Sequence, residues 1–298
     1  MKAIAAGNPT ATPEVAPRRT GSFRRVNYRT LRRLGAAQGG GLFVALFVLG
    51  TYFSIANPAF LTRSNILTIL LQVSVLGMVA VPGAMLLLAG KIDLSVGSVA
   101  GLGAACFGQF DKILGWPLGL SILGALVVGG LWGLMNGVLV GYLKFNPVIV
   151  TLGGYAGAAG VAQWITLDAT RYGFGNAFAV LGNGLVLGIP VPVVIFVGVF
   201  IVGAYCWCQT PVGRHLTAIG ANTEAAQAVG VATRRTPCII YVLSGVAAAS
   251  GGLILTSQLD GASVQIGMGL ELQVLTAILL GGVAFTGGRG SLWGTLAG

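Results

Sequence analysis

Long apolar runs dominate this chain, and its polar residues are confined to the gaps between them. The runs lie at 39–56, 65–89, 94–110, 117–143, 146–167, 191–209, 236–257 and 270–286. A helix needs roughly 20 apolar residues to cross the hydrocarbon core of a bilayer. The pattern therefore predicts about eight spanning helices, with a short start of another at Ser291-Leu-Trp-Gly-Thr. The runs at 94–110 and 270–286 are short and glycine-rich, which leaves each open to a re-entrant course as well as a full crossing. No strand alternation of the outer-membrane-barrel kind accompanies them. The expected fold is all-α, a polytopic transmembrane helix bundle.

Composition agrees. Of 298 residues, 55% are hydrophobic and only 8% charged, against about a quarter charged in a soluble domain. The net charge of +10 invites a nucleic-acid reading, but its placement argues against one. Lys2, Arg18, Arg19, Arg24, Arg25, Arg29, Arg32 and Arg33 all fall in residues 1–38. If that segment is cytoplasmic and the runs alternate across the membrane, Lys91, Lys144, Arg214, Arg234, Arg235 and Arg289 share its side. Only Arg63, Lys112 and Arg171 fall opposite. The positive-inside rule then sets the N-terminus in the cytoplasm. Residues 1–38 read as a basic, disordered tail whose charges orient the chain, with a place on anionic headgroups as the alternative. The tail is too long for the n-region of a cleaved signal. Residues 39–298 form the transmembrane domain.

Four cysteines, Cys106, Cys206, Cys208 and Cys238, lie in or beside apolar runs without C-x-x-C spacing, so they read as small buried hydrophobes. Gly129, Gly133, Gly137 and Gly141 recur every four residues and line one helix face, with Gly153, Gly157 and Gly160 continuing the theme in the next run. Small residues let membrane helices approach closely, so both sets are expected to build the bundle.

Several chemistries are missing from the chain. There is no G-x-x-x-x-G-K-[ST] phosphate loop, no G-x-S-x-G elbow, and a single histidine, His215, which excludes an H-E-x-x-H metal motif. This speaks against a membrane-embedded enzyme, and no metal site is expected. Ionisable groups are nearly absent from the runs, whereas ion-coupled carriers need one to bind the coupling ion. A stand-alone carrier or channel for a small polar solute is therefore the secondary reading.

One polar island interrupts the pattern at 211–235, on the side assigned to the cytoplasm. It contains Glu224-Ala-Ala followed by Gly230, the spacing E-A-A-x-x-x-G. This resembles the coupling loop of ATP-binding-cassette importer permeases. Other stretches sharpen the resemblance. Gly90-Lys-Ile-Asp-Leu-Ser-Val-Gly-Ser98, Pro147-Val-Ile-Val-Thr-Leu-Gly153, Thr210-Pro-Val-Gly-Arg-His-Leu-Thr-Ala-Ile-Gly-Ala-Asn222 and Leu280-Gly-Gly-Val-Ala-Phe-Thr-Gly-Gly-Arg-Gly-Ser291 are similar, in order, to segments of the ribose/xylose/arabinose-type sugar permeases. Lys91 departs from that pattern where the family has glycine, and Val283-Ala284 where it has a small polar pair.

The resemblance implies an inner-membrane permease working as a homodimer or heterodimer. Its implied partners are a cytoplasmic ATPase, which binds ATP and magnesium, and a periplasmic sugar-binding protein; this chain would bind no cofactor. It also implies about one or two further spans beyond Gly298. The coupling loop would use Gly213, Arg214, Gly220, Asn222, Glu224, Ala225, Ala226 and Gly230.

Individual residues have plainer readings beside these. Glu224 reads as a partner contact against a merely solvated charge, and Arg214 as an equal choice between partner contact and headgroup anchor. Gly230 also suits a left-handed helix end. Asp93 suits an N-cap for a helix starting near Leu94, with a gating or solute role for Asp93 and Ser95 as the alternative. Glu271 reads as a favourable charge at the outer start of its span. Asn136, mid-run, needs a hydrogen-bond partner. Interhelical bonding is expected for it, and a place on the solute pathway, with Gln72, Gln163 and Trp164, is the sharper alternative.

Overall fold

The computed structural model describes the backbone of residues 28–298, and side chains from residue 41 onward, residue 43 aside. Of the expected tail at 1–38, residues 1–27 lie outside the described residues and 28–38 belong to the first helix. Twelve helices are described: α1 (Tyr28–Ala56), α2 (Arg63–Leu88), α3 (Val96–Lys112), α4 (Leu118–Gly141), α5 (Pro147–Thr166), α6 (Asn176–Asn183), α7 (Val191–Gln209), α8 (Pro211–Ala221), α9 (Thr223–Ala228), α10 (Arg235–Leu259), α11 (Leu270–Leu280) and α12 (Leu292–Ala297). α1 begins ahead of the expected boundary at residue 39. Two-residue strands β1 (Arg171–Tyr172) and β4 (Gly261–Ala262) pair antiparallel, as do β2 (Leu185–Val186) and β3 (Ile189–Pro190). The all-α bundle is as the apolar pattern predicts.

Among the described residues, five helices are long and apolar enough to cross a membrane: α2, α4, α5, α7 and α10. The two runs left open to a re-entrant course both fall short of this length. α3 has 17 residues and α11 only 11. The apolar run at 270–286 does not continue as helix, because Gly281 ends α11 and Gly282, Gly287 and Gly288 adopt positive φ in the turns that follow.

α10 is the central element, packed on α4, α3, α2 and α6. Its seam with α4 is made by the predicted glycine face. A Cβ on Gly129 would meet Ala249 Cβ at 2.6 Å, one on Gly137 would meet Cys238 Cα at 3.0 Å, and one on Gly141 would meet Arg234 O at 2.8 Å. The companion expectation for α5 is corrected. Gly153 and Gly160 have open space where a Cβ would sit, and only Gly157 of the three packs inside the chain, against Trp132. The cysteines also divide: Cys106 and Cys238 are buried, whereas Cys206 is partly exposed and Cys208 exposed.

Candidate functional site

Two regions concentrate the polar residues that the sequence singles out. The first is the island. Thr210 caps α8, its hydroxyl accepting from Val212 N at 3.2 Å, and Pro211 fills the first turn, where no N–H donor is needed. α8 buries Gly213, Leu216 and Ile219 at helical spacing against Met85, Leu86, Ile240 and Tyr241, and leaves Arg214 exposed. Gly213 is required there, since a Cβ would press into the backbone of Trp207.

Asn222 ends α8 and caps α9, its Oδ1 accepting from Ala225 N at 2.9 Å. α9 then closes in a Schellman motif, with Gly230 N donating to Gln227 O and Val231 N to Ala226 O, both at 3.0 Å. Gly230 supplies the left-handed residue this motif needs, at φ +82°. Ala226 is buried beneath the turn, and Glu224, Ala225 and Gly230 stand exposed on its outer side.

Glycines weld the island to the bundle. A Cβ on Gly220 would strike Leu88 O and Gly288 N, and one on Gly287 would lie 2.6 Å from Gly90 N. Gly288 N donates to Leu88 O at 2.8 Å. The end of α8, the end of α2 and the loop after α11 therefore meet at one point.

The second region begins three residues beyond Gly90. Asp93 Oδ1 accepts from Ser95 N at 3.0 Å and from Ser95 Oγ at 2.7 Å, and Asp93 Oδ2 accepts from Ser244 Oγ at 2.8 Å. Asn136 Nδ2 donates to Ser95 Oγ at 2.9 Å, and Tyr241 OH donates to Ile92 O at 2.8 Å. Ser95, Asn136, Tyr241 and Ser244 are fully buried. The N-cap expectation for Asp93 is corrected: α3 starts at Val96 with Ser95 as its capping residue. Asp93 instead folds the approach to the helix by holding the Ser95 N–H. The interhelical partner expected for Asn136 is Ser95, although Asn136 Oδ1 and Trp132 Nε1 have no hydrogen-bond partner among the described residues.

Depth follows from helix rise. Ser244 lies nine residues into α10 from Arg235, about 13.5 Å at 1.5 Å per residue. Glu271 lies nine residues from the island-side end of α11 at Leu280, also about 13.5 Å. With Arg235 and Leu280 taken at the island-side edge of a hydrocarbon core of about 30 Å, both levels would fall near the middle. Glu271 does occupy the first turn of its helix, but that turn sits mid-bundle, not at the outer boundary. A Cβ on Gly97 would overlap the Glu271 carboxylate, which places α11's first turn against α3's first turn. Asp93 and Glu271, which stand at the starts of their apolar runs, are the ionisable groups at this level.

The family model for "Branched-chain amino acid transport system / permease component" matches residues 65–298. The chain belongs to this permease family. It is 37% identical over 260 residues to the ribose import permease protein RbsC of Haemophilus influenzae, covering 86% of this chain and 80% of that one. It is equally identical to RbsC of Bacillus subtilis over 266 residues, 89% and 82% of the two chains. Against the autoinducer 2 import system permease protein LsrD of Escherichia coli it is 35% identical over 249 residues, 82% and 75% of the two. No solved structure matches.

Within this permease, the structure gathers Asp93, Ser95 and Asn136 but leaves their three expected companions elsewhere. Gln72 and Gln163 are exposed on α2 and α5, as is Trp164. The polar cluster that the structure does gather is that of Asp93, joined by Tyr241 and Ser244, which the sequence reading missed. Their signal was faint. Ser244 and Tyr241 lie three apart on α10, one helical turn, with no charge to mark them.

Proposed function

We propose that this multi-pass permease is the membrane subunit of an ATP-binding-cassette importer for a monosaccharide or a furanose-like polyol, driven by a separate cytoplasmic ATPase. The observation that carries this reading is the α8–α9 unit. It is a capped, sharply terminated helix pair with an exposed face, joined through glycine contacts to the backbone that leads into the bundle. The exposed face of Arg214, Asn222, Glu224, Ala225 and Gly230 would receive the ATPase, while Gly213, Gly220 and Ala226 seat it on the bundle.

The names of the relatives, ribose and autoinducer 2 permeases, support the solute class. A periplasmic binding protein would deliver the solute, a second permease subunit would complete the transmembrane unit, and the N-terminus would lie in the cytoplasm of a bacterial inner membrane. Nothing in this role calls for ATP or magnesium on this chain.

In mechanism, ATP-driven closure of the ATPase would displace α8–α9. The displacement reaches Leu88–Gly90 and the 287–288 turn directly, because these are in backbone contact with Gly220. From there Asp93 is three residues along one arm, and α11 follows along the other. The carrier reading draws on the two mid-depth carboxylates, and one experiment separates the two. In proteoliposomes holding the chain, its ATPase and its binding protein, D-ribose uptake should require ATP and the ATPase. Uptake by the chain alone, driven by an ion gradient, would replace the importer reading with the carrier.

A further inference from the structure

Two helices of the bundle, α3 and α11, start inside it and next to one another. α3 begins at Val96 after the extended segment 91–95, and α11 begins at Leu270 after the turns of 263–269. The two first turns touch at Gly97 and Glu271, so two helix N-termini face one level near mid-depth. Each end carries partial positive charge, which favours an anionic or acceptor group there. Broken helices meeting at mid-depth are a geometry in which transporters hold their solute.

The two carboxylates at this level are not equivalent. Asp93 is tied down by three hydrogen bonds from Ser95 and Ser244. Glu271 is partly buried: its Oε2 is shut off from solvent and has no partner among the described residues. A buried carboxylate oxygen without a donor is costly, and a hydroxyl brought to it would relieve that cost. Both residues line one cleft between α2, α3 and α11, whose other walls are apolar, among them Gly83, Leu87, Val274 and Ile278. Its space is enough for about one hydroxyl-sized group. On α2, Pro82 sits beside the cleft-lining Gly83 and withholds the N–H that would satisfy the Met78 carbonyl, which loosens that wall.

We propose that this cleft is the solute-recognition station of the permease, with Glu271 accepting a hydrogen bond from a hydroxyl of a polyhydroxylated solute and Asp93 fixing the opposite wall. The inference rests on the reading of the chain as a polyol permease. A carboxylate is an acceptor with several lone pairs, so it suits a neutral solute that offers only hydroxyl hydrogens.

The test uses the full chain with its ATPase and binding protein in proteoliposomes, with D-ribose and its 2-, 3- and 5-deoxy forms as probes. Glu271→Leu should slow ribose uptake about ten- to a hundredfold, the range for a hydrogen bond to a charged group. One deoxy analogue should be slowed far less, because it lacks the hydroxyl that Glu271 receives. The binding protein's own selectivity cancels, being common to both permeases. Equal slowing of all four probes would overturn the proposal and reduce Glu271 to a helix-start charge.

Glu271→Cys gives a second measurement that needs no knowledge of the solute. Site-resolved labelling with a small charged methanethiosulfonate should occur in at least one of the nucleotide-free and ATP-bound states, and 10-millimolar-range ribose (roughly, a saturating level for a weak site) should slow it. No labelling in either state, with the complex intact by size exclusion, overturns the station. If the wild-type complex moves no pentose, the sugar reading falls, and the labelling result still decides whether Glu271 faces a route.

Discussion

The glycine seam between α4 and α10 offers a quantitative check on how this bundle is held. Consider Gly133→Ala. The new Cβ would overlap Tyr241 O and lie 2.9 Å from Tyr241 C and 3.0 Å from Val242 Cα, and backbone cannot rotate away as a side chain does. An ordinary carbon–carbon contact needs about 3.5 Å, so the helices must part by at least roughly 0.5 Å. A gap of that size forfeits a quarter to a half of each close contact, and on the order of 20 atom pairs at about 0.15 kcal/mol each gives about 1 kcal/mol. That is the lower end of the 1–3 kcal/mol usual for overpacking.

The matched control is Gly153→Ala on α5, where nothing lies within 4 Å, so only the better helix propensity of alanine acts, worth up to about 1 kcal/mol. The two variants should therefore differ by about 2 kcal/mol, roughly 4–8 °C in Tm on the scale of larger soluble domains. Thermal unfolding of the purified chain in detergent, followed by size exclusion, reads this directly. Equal melting temperatures for the two variants would refute the close-packed seam.

Three further outcomes are expected. Gly230→Trp places a side chain at φ +82° with no atom nearby to clash, so strain of about 1–2 kcal/mol acts on the turn alone; ATP-driven uptake should fall while membrane insertion stays normal, and undiminished uptake would remove Gly230 from the coupling unit. Asn222→Ala removes the α9 cap, a loss of about 1 kcal/mol, and should weaken co-purification with the ATPase more than it lowers the melting temperature; the reverse order would make the cap purely structural. Ser244→Ala leaves Asp93 Oδ2 without its donor and should cost about 1–3 kcal/mol, whereas an unchanged melting temperature would show that the bond adds nothing.

The bundle's long helices were legible because the bilayer imposes a length. The run at 191–209 is α7 to the residue, and the run at 236–257 differs from α10 by one residue at one end and two at the other. The caps and the helix end at Gly230 were legible for the same kind of reason, since each is a local rule. Orientation within the membrane was not. Lipid-facing surfaces are as apolar as the bundle interior, so nothing in the pattern told that Gln163 and Gly153 face outward while Asn136 and Gly154 face inward. The pairing of Glu271 with the Asp93 level was hidden for a further reason: the two stand 178 positions apart in the chain, and their common depth depends on where α3 and α11 break.

On the importer reading, those breaks would let a docking loop on one side act on a carboxylate near mid-membrane. A continuous helix would carry a displacement along its whole length, at the cost of repacking every neighbour. Here α2 stops at Leu88 and α11 at Leu280, and both arms pass through backbone held against Gly220. Gly90, Gly287 and Gly288, all at positive φ, sit at that junction. Motion of α8–α9 is thus applied where the chain is already non-helical, and the segments it reaches first are the short ones that frame the cleft. α4 and α10, locked along their glycine seam, supply the fixed wall against which those segments would shift.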